Sequence, residues 1–249
     1  MTNCSIRICH RIEEFEACVE LQKRIWGYAE GESYAARLFV NLSHIGGHVL
    51  GAFTVGGELV GFVAAMPAWR DGVRYYHSLS LGVAAGHENL GLGRALKFRQ
   101  REEALAAGIE RIEWTFDPMR AKNAFFNLVR LGAVARRYRP DYYGRLKSKL
   151  QQGLPTDRLI CEWWLKSERV ARATRGEPAR EPGATPAAAE VAIPTHFRPL
   201  AESDPEQARD LQLATRGKLI GAFAQGLVAT GFTRGEHDSR YLLDHAATA

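Results

Sequence analysis

The residues of this 249-residue chain that are best placed for chemistry form one short run, Glu88-Asn89-Leu90-Gly91-Leu92-Gly93-Arg94. A strand pattern ends at Val83 just before it, and a helical pattern from about Leu90 to Ala107 follows. The first amides of a helix lack intrahelical partners, and the aligned peptide dipoles make that end electropositive. Glycine lets a charged group come close to the backbone. Strand, glycine turn and helix start together point to an anion-binding corner of the kind that cradles a pyrophosphate. The same pattern also serves packing alone, so its surroundings have to decide. A dinucleotide fingerprint would need a third glycine and an acidic residue closing the next strand. Leu96 stands at the first of these places, and Asp117 comes too late for the second.

Other residues carry chemistry by type. Arg158 opens the last core strand, and its planar fork suits a bidentate carboxylate clamp; a structural ion pair with Asp157 or Glu162 is the alternative. Arg130, Arg136, Arg137, Arg139, Arg145, Lys147 and Lys149 form a basic run with Tyr138, Tyr142 and Tyr143 among them. Such a run can stack and neutralise nucleic acid, although phosphate or carboxylate binding, or plain solvation, accounts for it more simply. His44, His48 and His87 have no ligand spacing, so no metal site is expected.

The elements that must hold these residues are readable from periodicity. Ile6 and Ile8 alternate in a first strand over 5–10, and Ile12, Phe15, Val19 and Trp26 mark an amphipathic helix over 12–26. A second helix spans 35–45. Strands 48–55 and 58–67 flank Gly56-Gly57, a strong hairpin signal. The central strand covers 74–83, and the motif helix ends before Gly108. Strand 111–116 then completes a parallel unit with a right-handed crossover. Asp117-Pro118 opens a helix over about 119–131, closed by Gly132, and strands 133–138 and 158–165 follow.

In this order the segment 88–94 resembles motif A of the GNAT acetyltransferase superfamily, with Glu88 where that motif usually has Gln or Arg. Residues 121–133 are similar to its motif B: Ala124 and Gly132 match, the asparagine is shifted to Asn123, and Leu128 takes the tyrosine position. The resemblance covers about residues 5–165. It implies an α/β GNAT fold, a mixed central sheet with splayed parallel central strands and flanking helices. It also implies acetyl-CoA as co-substrate and an amine, on a small molecule or a peptide, as acceptor.

The resemblance carries roles to particular positions. Leu81, Gly82 and Val83 would pair with pantetheine through their backbone. Residues from Glu88 through Asn89, Leu90, Gly91, Leu92 and Gly93 to Arg94 would meet the pyrophosphate. Asn123 and Phe126 would flank pantetheine. The count back from Val83 puts the family's general base at His77, whose ordinary pKa near ~6.5 suits proton uptake at neutral pH. Ser78 is expected on the opposite face from His77, and if Leu79 and Leu81 share the face of His77, that residue looks along the wall that would hold pantetheine. Glu113 and Asp117 are reserve bases, and Tyr143, beside Tyr142, is the candidate acid for the leaving thiolate. A non-catalytic acyl-CoA-binding module and a nucleic-acid-associated protein are the rival readings.

The remainder sets bounds. Hydrophobic residues make up 46% and the net charge is +5, which suits an anionic cofactor. No leader pattern and no run of ~18 apolar residues is present. Cys4, Cys9, Cys18 and Cys161 match no zinc spacing, so reduced thiols in the cytoplasm are expected. The domain is taken as 1–166, followed by a flexible linker over 167–190 and a small α+β extension over 191–249. In the extension Asp204, Pro205 and Gln207 make a helix start. Roughly 55 residues hardly sustain a core alone, so the extension is expected to pack on the main domain or on a second subunit in a homodimer.

Overall fold

The computed structural model describes residues 4–28, 31–144, 153–180 and 186–245. The chain divides into two compact units, Met1–Glu113 and Trp114–Ala249.

In the first unit β1 (Cys4–Ile8), β2 (His48–Thr54), β3 (Leu59–Arg70) and β4 (Val73–Val83) are successive antiparallel neighbours. β5 (Arg111–Phe116) begins in this unit and pairs with β4 in parallel at Tyr76↔Ile112 and His77↔Glu113. The alternation of strand side chains separates two apolar clusters. Phe15, Cys18 and Leu21 of α1 (Ile12–Trp26) and Phe39 and Leu42 of α2 (Ala36–His44) pack with Val49, Phe62 and Ala64. Leu92 and Leu96 of α3 (Leu92–Ala106) pack with Leu50, Ala52, Val60 and Val63 on the other face. Glu14 fixes the start of α1 by accepting from the His10 and Arg11 amides at 2.8 and 3.2 Å.

The pairing of β3 with β4 slips between Ala64↔Ser80 and Ala65↔Ser78, so Leu79 is an extra residue on β4. A bulge of this kind breaks the strict alternation. His77, opposite Met66, and Leu79 share the α1/α2 face, whereas Leu81 packs among the α3-side residues. The condition that His77, Leu79 and Leu81 share one face therefore fails at Leu81. Ser78 does lie on the opposite face from His77, against Lys97 and Gln100.

The second unit holds the end of β5, several helices and five strands in the order β7-β6-β9-β10-β8. The helix predicted over 119–131 is shorter and mixed: α4 (Ala121–Phe125) passes into a π-helical turn over Phe126–Arg130. Asp117 takes up the preceding residues in a turn, accepting the Met119 amide at 2.9 Å. β6 (Val134–Arg139) pairs with β7 (Arg158–Trp164), and Trp163 is fully buried with its Nε1 donating to the Leu131 carbonyl at 2.7 Å.

The stretch expected to be a flexible linker contains α5 (Glu168–Thr174), with Val170 and Ala173 buried. Seven residues are too few to show a helical period in the sequence. β8 (Ala189–Pro194), α6 (Phe197–Ser203), α7 (Pro205–Ala224), β9 (Leu227–Thr233) and β10 (Asp238–His245) complete the unit. Asp204 caps α7 by accepting the Gln207 amide at 3.0 Å, and β9 pairs with β6 at Ala135↔Ala229. Tyr241 of β10 is fully buried and donates to the Pro118 carbonyl at 2.6 Å. The C-terminal segment thus packs into the same unit as β6 and β7.

Candidate active site

Val83 ends β4, and the chain turns through 84–91 before α3 begins at Leu92, two residues later than the sequence pattern suggests. The reason is backbone conformation. Gly91 caps the helix in the left-handed region at φ 84°, where glycine alone is unstrained. Gly86 and Asn89 are also left-handed, at φ 84° and 61°. Such residues curl a segment in the way backbone anion nests require. Glu88, Asn89, Leu90 and Gly91 are all exposed. Nothing lies within 4 Å of where a Cβ on Gly91 would stand. Arg94, in the first turn of α3, lays its guanidinium over the Phe98 ring at 4.5 Å. An open backbone, a helix start and a nearby cation fit a pyrophosphate. The exposed Glu88 carboxylate is the one feature that does not.

Gly82 serves packing. A Cβ there would lie 2.7 Å from Ile25 and 3.2 Å from Phe62 and Trp26, so its absence lets α1 settle on β4. Leu81 and Val83 are half-buried on the α3 side.

His77 is half-buried, with Met66 and Glu113 as its strand neighbours. Burial lowers its pKa from the ordinary 6.5; the Glu113 charge opposes this, and Lys97 and Arg70 add to it. Its imidazole is therefore unprotonated at neutral pH and can accept a proton. Glu113 is 2% exposed and held by Arg70 and by Arg111 Nε, the latter at 3.3 Å. Its carboxylate is thus engaged by two guanidiniums, whereas His77 has none against it among the described residues.

Behind β4 the structure brings together residues that the sequence did not single out. Lys97 is 2% exposed and donates to Gln100 at 2.7 Å and to Ser78 at 3.3 Å. Its spacing on α3 marks it as core-facing, but its charge hides it from a hydrophobic pattern. His48 is also buried on the α3 side, edge-on to Tyr76 at 5.0 Å.

In the second unit Asn123 is exposed near the start of α4, and Phe126 is half-buried at the π-helical turn. Leu128, at the motif's tyrosine position, is fully buried. Asn127, also passed over, accepts from Trp114 Nε1 at 3.2 Å. Tyr143 sits in the turn after β6 with its hydroxyl 3.2 Å from Thr115 Oγ1. Arg158 lays its guanidinium 5.0 Å over the Tyr143 ring and donates to the Asp157 carbonyl at 2.8 Å. Burial raises the Asp117 pKa, against the Arg158 charge, the Met119 amide hydrogen bond and Arg120. Arg136 and Arg137 both pair with Glu162, each at 3.2 Å, which interrupts the basic run. Arg145, Lys147 and Lys149 lie outside the described residues. Among the described residues no group of three or more His, Cys, Asp or Glu could hold a metal ion, and no helix is long and apolar enough to cross a membrane.

A mixed sheet with a bulged β4, flanking helices and a glycine-capped α3 defines the class as that of the acyl-CoA-dependent N-acyltransferase fold. The model of the "Acetyltransferase (GNAT) family" matches residues 15–129. Residues 15–129 are thus similar to a domain of that acetyltransferase family.

Solved structures share the fold at low identity. A proposed GNAT-family acetyltransferase from Desulfovibrio desulfuricans is 18% identical with a TM-score of 0.53, covering 65% of this chain and 99% of its own. A proposed acetyltransferase from Salmonella typhimurium, solved with its cofactor acetyl-CoA, is 19% identical with a TM-score of 0.52, covering 74% and 100%. The ribosomal-protein-S18-alanine N-acetyltransferase of Escherichia coli is 14% identical with a TM-score of 0.50, covering 73% and 97%. No curated protein matches the sequence.

Proposed function

We propose that this chain moves an acetyl group from acetyl-CoA directly to an amine of a small molecule or peptide, with His77 as general base. The observation that carries the proposal is the left-handed Gly91 cap at the start of α3, set directly after the bulged strand that bears His77. Acetyl-CoA supplies the activated thioester. The backbone of Glu88–Arg94 would hold its pyrophosphate, and Leu81, Gly82 and Val83 would pair with pantetheine. Asn123 of α4 and Phe126 of the π-helical turn would border it. His77 takes the amine proton, Tyr143 is the group offered to the departing thiolate, and Arg158 contacts the acceptor. The four free cysteines support a reducing, cytoplasmic setting.

Two measurements test this. Gly91→Val and Gly93→Glu should weaken acetyl-CoA binding in calorimetry, because side chains block close approach to the backbone. His77→Ala should lower turnover on an amine panel by ~100- to 10,000-fold while leaving acetyl-CoA affinity unchanged. The acidic limb of the wild-type pH–rate profile should fall below the ordinary histidine value, since the pKa of His77 is lowered. Persistence of that limb in folded His77→Ala would remove His77 from the mechanism.

A further inference from the structure

Arg158 owes its position to the appended helix α7. Asp157, its neighbour in the chain, is wholly buried. The Asp157 Oδ2 accepts from Tyr138 Oη at 2.6 Å and from Arg216 Nε at 2.9 Å. Its Oδ1 accepts from Arg216 Nη2 at 2.8 Å and from the Asp141 amide at 3.0 Å. Four donors meet a carboxylate that has about four lone-pair sites. Nothing is left for Arg158, which donates instead to the Asp157 backbone carbonyl. Glu162, the other acid near in sequence, is engaged by Arg136 and Arg137. Asp117 senses the Arg158 charge, but its carboxylate accepts the Met119 amide and lies 3.9 Å from Arg120. Among the described residues no carboxylate is ion-paired with Arg158.

The same helix holds the rest of the constellation. Gln212 Nε2 donates to the Pro155 carbonyl at 2.8 Å. Thr156 Oγ1 accepts the Tyr143 amide at 2.9 Å and bonds Asp141 Oδ1 at 3.1 Å. The turn carrying Tyr143 is thus tied to the segment 155–158, and that segment is tied to α7. The result is a half-buried guanidinium stacked on a phenol ring, with the Thr115 hydroxyl beside that phenol.

We propose that Arg158 and Tyr143 form a subsite for a carboxylate carried by the acceptor, and that Arg216 keeps it available by holding the Asp157 carboxylate away from Arg158. The proposal rests on the acetyl-transfer reading for the identity of its ligand as the acceptor. Arg216 is a positioning residue: it acts through Asp157. An arginine fork gives two parallel charge-assisted hydrogen bonds to a carboxylate, and the stacked ring fixes the plane of the fork.

Side-chain ¹⁵N NMR of the full chain tests this, with N-acetylglycine as the carboxylate probe and its amide and inorganic phosphate as controls. The Arg158 Nε signal, assigned by its loss in Arg158→Lys, should shift with the acid and stay still with the amide. Arg216→Met should weaken the response roughly tenfold, because Asp157 then turns to Arg158. Arg216→Met with Asp157→Asn should restore it to within about threefold, since the competing carboxylate is gone and the two sites are coupled. If Arg216→Met does not fold, Arg216→Lys serves, with an intermediate response expected. An equal response to acid and amide, a stronger response to phosphate, or an unchanged response in the folded Arg216 variant would overturn the proposal. Acetyl-CoA affinity and acetyl transfer are read separately. A protein that binds the acid at Arg158 but transfers no acetyl group would keep the subsite and lose the transfer reading. Transfer to amines with Arg158 silent would do the reverse.

Discussion

In the first unit Lys97 donates to Gln100 and Ser78 behind β4, yet Gln100 Nε2 and His48 Nε2 close by are buried without hydrogen-bond partners among the described residues. In the second unit Asp157 is as deeply buried, and its carboxylate receives four hydrogen bonds. Both clusters are polar groups taken out of water, and they should fail in different ways. A matched buried charge is sensitive to the loss of either partner. An unmatched histidine tolerates substitution and makes stability depend on protons.

The largest effect should come from breaking the matched cluster. Asp157→Ala leaves the Arg216 guanidinium and the Tyr138 hydroxyl without their acceptor. Breaking such a pair costs about 3 kcal/mol here, at the lower end of the usual range because Arg216 keeps partial access to water. Urea unfolding should show a matching fall in midpoint. An unchanged midpoint would mean that the cluster is not what holds α7 to the 155–158 segment.

The unmatched cluster should show itself in pH. Burial lowers the His48 pKa from 6.5 to about 4, with Glu103 opposing this and Lys97 assisting it. Between those values the unfolded chain binds a proton that the folded chain refuses, so stability falls as pH drops from 6.5 toward 4. The loss amounts to about 3 kcal/mol at most, with each pKa unit worth ~1.4 kcal/mol. Unfolding measured from pH 7 to 4.5 should show this slope, and His48→Leu should reduce it. His77, also lowered by burial, leaves a residual slope of the same sign, so a slope undiminished in His48→Leu would place the proton elsewhere.

The smallest effect sharpens the contrast. Ser78→Ala removes one neutral hydroxyl from a cluster that is already incompletely paired. It should cost about 1 kcal/mol, the net worth of an ordinary hydrogen bond. A cost near that of Asp157→Ala would show the two clusters to be equally well matched.

Much of the fold was legible because the determining features are local. The helix read over 12–26 forms as α1, and strand 111–116 forms with those bounds. The Gly56-Gly57 hairpin joins β2 to β3, and the Asp204-Pro205 start opens α7. Periodicity, glycine turns and cap residues act within a few positions, so a single strand of text contains them. The glycine cap of the candidate site was legible for the same reason, although its helix begins two residues later than the pattern suggested.

What the tertiary structure alone decided is of another kind. The extra residue at Leu79 depends on the register of β3 against β4, and it moves Leu81 off the face of His77. The pairing of Glu113 with Arg70 and Arg111 depends on residues that the sheet brings to one place. The turn at Phe126 is π-helical, where the motif count assumed an ordinary helix. Arg216 meets Asp157 across 59 residues of sequence, and no periodicity carries information over that distance. The sequence by itself determined the helix over 12–26, the strand over 111–116 and where the glycine corner lies, because these follow from local sterics and burial. Which charges are matched follows from long-range packing, because a carboxylate's partner is set by what the fold brings within 3 Å of it.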